Sequence, residues 1–105
     1  MNKSYIKGFL EDIVLHLIDE QGESYGYELT RLVEERTKGI IKINEGALYP
    51  VLHKLEQKGV ITGSFRLIDN RPRKYYRIAA SNLKNVAQNK AEAQVYISAL
   101  KTLLN

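Results

Sequence analysis

A chain of 105 residues is long enough for one modest core and too short for two. With 44% apolar and 27% charged residues it has the make-up of a folded protein rather than a disordered one, and the absence of cysteine excludes disulfides and thiolate metal sites. No apolar run approaches the ~18 residues of a membrane span and the N-terminus lacks a signal-peptide core, so the cytoplasm is the expected compartment.

The formal charge of +4 and pI of about 9.3 are a mild excess whose placement matters more than its size. Between Ser64 and Ile78 stand Arg66, Arg71, Arg73, Lys74 and Arg77 against the single acid Asp69. The basicity is therefore local, as nucleic-acid binding requires.

In chain order, residues 4 to about 20 have the spacing of an amphipathic helix whose apolar face is Ile6, Phe9, Leu10, Ile13, Val14, Leu17 and Ile18. Leu15 points nearly the opposite way and marks a second buried side, against the last helix or a partner chain. Gln21-Gly22 ends the helix. Ser24 is the expected N-cap of a second helix, residues 25–39, which buries Leu29, Leu32 and Val33 and stops at Gly39. Ile40, Ile41 and Ile43 around Lys42 read as a short third strand beside a later hairpin.

Asn44 caps the helix around which the chain is organised, residues 45–58, with Pro50 near its first turn and Gly59 at its end. Ala47, Leu48, Val51, Leu52 and Leu55 fall within roughly 140° of arc at about 100° per residue. Gly46, Tyr49, Pro50, His53 and Gln57 form the opposite face, with Lys54 at its flank. Two β-rich runs follow, Val60–Leu67 and Arg73–Ile78, joined by a turn at Asp69-Asn70. A final helix, capped by Ser81 or Asn82, carries the seam Leu83, Val86, Lys90, Ala93, Ile97, Leu100 and Leu104. One small core has no place for that stripe, so it calls for the same helix and the first helix of a second copy.

The fold class expected is mainly α with a small β-hairpin: a winged helix-turn-helix over residues 1–79 and a C-terminal dimerisation helix over 80–105. Residues 45–58 are then a recognition helix and 66–77 a wing. On the helix, Gly46 allows close backbone approach to phosphate, Tyr49 can bond a phosphate or lie against sugar and base, and Pro50 shares that outer face. His53 and Lys54 can reach base edges or phosphates. Arg71, Arg73 and Lys74 at the wing suit phosphate contact or arginine entry into the minor groove. The bland alternatives are a solvated helix face with a half-packed tyrosine, and a charged edge-strand guard. Dimerisation falls to Leu83, Val86, Ala93, Ile97, Leu100 and Leu104.

No Ser/His/Asp arrangement, phosphate-binding glycine loop or HExxH motif occurs, so no catalysis is expected. With His16 and His53 far apart and no cysteine, neither a metal nor another cofactor is expected.

The runs GALYPVLHKLEQKGVI and RPRKYYRI, preceded by YGYEL, make the chain resemble the PadR family of bacterial transcriptional regulators over about Leu10 to Ile78. It departs from the family pattern at Ala47 and Ala79, where Thr is usual, and near Phe65, where Trp is. The resemblance implies a homodimer joined by C-terminal helices, with recognition helices in successive major grooves of a pseudo-palindromic operator, usually to repress. The single C-terminal helix is similar to the short subgroup. Some members hold aromatic ligands between tryptophans of the last helices; this chain has no Trp, so that mode does not carry over. An effector cavity between first and last helices would centre on Lys90 and Ala93. The rival to DNA binding is a winged helix used for protein contact, as an anti-activator or adaptor, with its basic wing on an acidic surface.

Overall fold

A computed structural model describes residues 8–105, so the expected helical start at residue 4 and the place of Ile6 lie outside the described residues. The elements are α1 (Leu10–Gln21), α2 (Gly26–Arg36), α3 (Glu45–Gln57), the strands β1 (Ile61–Ile68) and β2 (Arg71–Ile78), a 3-10 turn at Ala80–Asn82, and α4 (Leu83–Leu104). This is a helix-turn-helix followed by a wing and one long helix.

The helix α1 is buried on two sides. Val14, Leu17 and Ile18 join Leu29, Val33, Leu48, Leu52 and Leu55 in one core, while Leu15, 5% exposed, packs on the α4 side near Val86. The off-stripe leucine thus meets the last helix of its own chain. Val86 is the one buried residue of α4, at 2% exposure. Expected as a dimer contact, it is instead enclosed by its own protomer, because the first turns of α4 cross α1 before the helix leaves the body.

Local chemistry sets the helix ends. Asn44 accepts a hydrogen bond from the Ala47 amide at 2.8 Å, the expected side-chain cap of α3. At the other end Gly59, at φ 75°, allows the Val60 amide to bond the Leu55 carbonyl at 3.0 Å and its own amide to bond that of Glu56, a Schellman closure. Pro50 is the sixth residue of α3 and removes the hydrogen bond that would run to the Gly46 carbonyl. That carbonyl lies among exposed residues, where water can satisfy it.

Two expected caps are not formed. Tyr25 occupies the N-cap position of α2, and the buried Ser24 hydroxyl donates to Glu28 at 2.6 Å instead. Asn82 stands at the N-cap of α4 without a side-chain cap bond; its amide donates to the Gly59 carbonyl at 3.3 Å, tying α4 to the end of α3.

The hairpin turns on Asp69 and Asn70, at φ 52° and 62°, the pair of left-handed residues that a two-residue turn of matching twist requires. Register runs from Ile68 opposite Arg71 to Ile61 opposite Ile78. The inner face is Ile61, Gly63, Phe65 and Leu67 with Pro72, Lys74, Tyr76 and Ile78, and the outer face carries Arg66, Arg71, Arg73, Tyr75 and Arg77.

The third strand is not where the sequence places it. Residues 40–43 form no strand: Lys38 and Gly39 both have positive φ, and the Thr37 hydroxyl takes the Ile41 amide at 3.0 Å. The chain turns there while Ile41 and Ile43 settle on the core and Ile40 stays exposed. The free edge of β2 pairs with Ser24 instead, whose amide and carbonyl exchange hydrogen bonds with Tyr76 at 3.0 and 2.7 Å. Tyr76 offers those groups because, in an antiparallel pair, alternate residues point their polar backbone away from the neighbouring strand.

Beyond Ala93 the helix α4 is exposed on every side. Val95, Tyr96, Ile97, Leu100, Leu103 and Leu104 are all at least 41% exposed. This arm gives the molecule its longest dimension of 50 Å. No helix among the described residues is long and apolar enough to cross a membrane.

Candidate nucleic-acid interface

A cleft of about 590 Å³ opens between the start of α2, the outer face of α3 and the wing. Tyr25, Gly26 and Tyr27 line one wall, Tyr49 the floor, and Asp69, Arg71, Arg73 and Lys74 the other wall. Gly46, Tyr49, Pro50 and His53 are all exposed on α3, so the outer face of that helix is free as expected.

Tyr49 sits in this cleft because residue 26 has no side chain. A β-carbon at Gly26 would stand 3.1 Å from the Tyr49 hydroxyl oxygen and 3.3 Å from the ring edge. The ring therefore lies on the backbone of α2, and its hydroxyl donates to Glu45 at 3.1 Å. Burial, then the Glu45 carboxylate, pushes the Tyr49 phenol above its ordinary pKa, so it remains a hydrogen-bond donor. The YGYEL run thus supplies the bed for the tyrosine of α3, a role periodicity does not reveal.

The outer face of the wing carries a stack. The Arg73 guanidinium lies 4.2 Å from the Tyr25 ring centroid, Tyr25 meets Tyr75 edge-on at 5.2 Å, and Arg66 covers Tyr75 at 4.3 Å. Arg66 also forms a two-pronged ion pair with Glu23, which Arg77 approaches at 3.5 Å. Those hydrogen bonds from Arg66 hold the Glu23 carboxyl below its ordinary pKa and raise that of Arg66. The sequence reads Tyr25 as a packing residue and does not single out Glu23; the structure sets both against the wing. Both flank Ser24 and reach the wing through its bridge to β2.

The expected cations differ in what holds them. Lys54 pairs with Glu11 of α1 at 2.9 Å, and Lys74 pairs with Glu56 of α3 at 2.7 Å beneath the hairpin. Each carboxylate raises its partner's pKa by hydrogen bonding. Lys74 lies between the Phe65 and Tyr76 rings, 5.4 Å from each, over Gly63; a β-carbon there would meet its Cε at 2.4 Å. Arg71 and Arg73 have no carboxylate partner among the described residues. The geometry therefore separates two wing arginines without a carboxylate partner from two lysines whose ion pairs tie α3 to α1 and to the wing.

A second crevice, about 620 Å³ and mostly apolar, lies between the start of α1 and α4, lined by Phe9, Asp12, Asn89, Ala93 and Tyr96 among others. Ala93 lies where an effector cavity was expected. Lys90 borders a smaller neighbouring crevice with Asp12 and His16. No group of three or more His, Cys, Asp or Glu side chains among the described residues is placed to hold a metal ion.

The sequence profile of the PadR-like transcriptional regulator family matches residues 14–88, from the middle of α1 into α4. The chain belongs to the PadR-like family. As a PadR-like transcriptional regulator it is 41% identical over 76 residues to an uncharacterised protein of Lysinibacillus sphaericus, covering 71% of this chain and 69% of that one. A transcriptional regulator from Clostridium thermocellum superposes with a TM-score of 0.83 at 27% identity, over 98% of this chain and all of the other. A PadR-like regulator of Bacillus cereus gives 0.79 at 28% identity, over 98% of both chains. The PadR fold thus extends through α4, beyond the segment matched by sequence.

Proposed function

We propose that this PadR-family regulator binds double-stranded DNA as a homodimer, with no catalytic step, and represses transcription in the cytoplasm. The observation that carries the reading is the cleft itself. The exposed face of α3 and two carboxylate-free arginines of the wing lie on one side of the molecule, with Tyr49 between them. In this architecture α3 enters a major groove and Arg71 and Arg73 meet the flanking phosphates or minor groove. The apolar arm of α4 supports the dimer, because about 33 Å of helix with six large exposed apolar side chains in its second half needs a covering surface. Leu83, at 49% exposure, lies at the root of the arm, where it can contribute to the rim of that surface. A two-fold arrangement of reading helices suits a pseudo-palindromic operator.

The test is fluorescence anisotropy with a random-sequence duplex and with DNA from upstream of the protein's own gene, combined with sedimentation equilibrium. A dimer that binds both duplexes at low salt and retains only the second at physiological salt is expected. A strict monomer, or no retention of any duplex at low salt, overturns the reading and favours a wing used for protein contact.

A further inference from the structure

We infer that Glu45 is a specificity-determining residue, and that its carboxylate reads the exocyclic amino group of a cytosine in the major groove. The inference rests on the DNA-binding reading above and assigns one base-edge contact within it.

Glu45 is the first residue of α3, exposed, one turn before Tyr49 and two before His53 on the same outer face. The other carboxylates beside α3 are engaged: Glu23 by Arg66 and Arg77, Glu56 by Lys74, Glu11 by Lys54, and Glu28 by the Ser24 hydroxyl; Asp69 also lines the cleft, but at the turn of the wing rather than on the helix. Glu45 has no cationic partner among the described residues. Its one contact is the Tyr49 hydroxyl, at 3.1 Å. Tyr49 is in turn seated on the backbone at Gly26. The carboxylate is therefore held in place and keeps its charge and most of its lone pairs free.

Such a group has few tolerable neighbours on a duplex. Phosphates repel it, and the base edges of the major groove are mainly acceptors: guanine N7 and O6, adenine N7, thymine O4. Only the amino groups of cytosine and adenine donate there. The adenine amino group lies between N7 and the thymine O4, both acceptors. That of cytosine has an acceptor on one side only, with the apolar C5 edge on the other. Cytosine is thus the base that a fixed carboxylate at the leading end of α3 accepts best. Everywhere else Glu45 repels DNA, which sharpens discrimination at the expense of general affinity.

The test starts with selection from a pool of random duplexes by the full-length wild type, E45A and E45Q. The wild type is expected to enrich a cytosine in each half-site that E45A does not. In the selected duplex, replacing that cytosine by N4-methylcytosine keeps the base pair and blocks the outward amino proton. It should weaken wild-type binding roughly tenfold and leave E45A unchanged. E45A should bind random duplex more tightly than the wild type. A helix-capping role alone would lower the melting temperature of E45A without altering base preference, so melting of each variant is recorded alongside. Identical consensus sequences for wild type and E45A overturn the assignment while DNA binding stands. Failure of every variant to retain duplex removes both readings together.

Discussion

The ring of Tyr49 occupies the space that a side chain at position 26 would need, 3.1 to 3.3 Å from where its β-carbon would stand. Two helices thereby share one surface at the floor of the cleft. Gly26→Ala must push the tyrosine outward by a few tenths of an ångström, and Tyr49, half exposed, is free to move. Unfolding free energy is expected to change by less than about 1 kcal/mol, since alanine also favours the helix. Affinity for the selected duplex should fall several-fold. Urea titration and anisotropy on the same variant separate the two effects.

The pairing of the cations sorts their contributions to salt dependence. Arg73 faces the cleft without a carboxylate partner, whereas Lys54 is tied to Glu11. Arg73→Ala should flatten the slope of log affinity against log salt by about 0.9, the change for one phosphate contact. Lys54→Ala should flatten it less, because its charge is already countered. Equal changes for the two variants would contradict the sorting.

Tyr25 is expected to act through Arg73. The guanidinium lies on its ring, so Tyr25→Phe, which retains the face, should bind DNA like the wild type. Tyr25→Leu keeps the bulk and loses the face. It should lose about threefold in affinity, with no further loss when combined with Arg73→Ala. A double-mutant cycle by anisotropy reads that coupling.

Acid should loosen the outer half of the wing. Arg66 holds the Glu23 carboxyl below its ordinary pKa. A carboxyl whose folded pKa is depressed adds stability above its unfolded value, about 4.3, and that contribution is lost as pH falls through the lower folded value. Glu23→Gln should therefore be less stable than wild type at pH 6. The gap should narrow below about pH 4.3 and close once the wild-type carboxyl is protonated. Thermal melts across that range measure it, and a gap independent of pH would sink the assignment.

The two halves of α4 should respond differently to substitution. Val86 is enclosed by its own chain, so Val86→Ala should cost about 2 kcal/mol of unfolding free energy. Ile97 is 49% exposed on the arm, so Ile97→Glu should leave the fold intact and shift the protein toward monomer. Sedimentation equilibrium and urea titration distinguish these outcomes.

What could be read from the chain was local. The Asn44 cap, the Asp69-Asn70 turn, the apolar face of α3 and the second buried side at Leu15 follow from periodicity and turn chemistry, which act over a few residues. The placement of Ile40 to Ile43 as a strand failed because β-branched composition does not register the turn set by Lys38 and Gly39. The true partner of β2, Ser24, is one residue of bridge and leaves no pattern. The pairs Lys54–Glu11 and Arg66–Glu23 each span 43 residues, so no window along the sequence brings them together. Val86 read as part of one uneven seam, interrupted by Lys90, since spacing cannot tell which turns of a helix are covered at home.

The bridge at Ser24 is the backbone tie among several that limit how the hairpin can swing. Two hydrogen bonds clamp β2 at Tyr76, close to its base, while Phe65 and Leu67 toward the tip are about 70% exposed. Further out, Arg66 on Glu23, Lys74 on Glu56 and Arg73 on Tyr25 reach back to the helical body, so only the tip from Leu67 to Pro72 projects without such a tie. On the DNA-binding reading proposed above, motion confined to that tip would carry Arg71 along a duplex while α3 keeps its place.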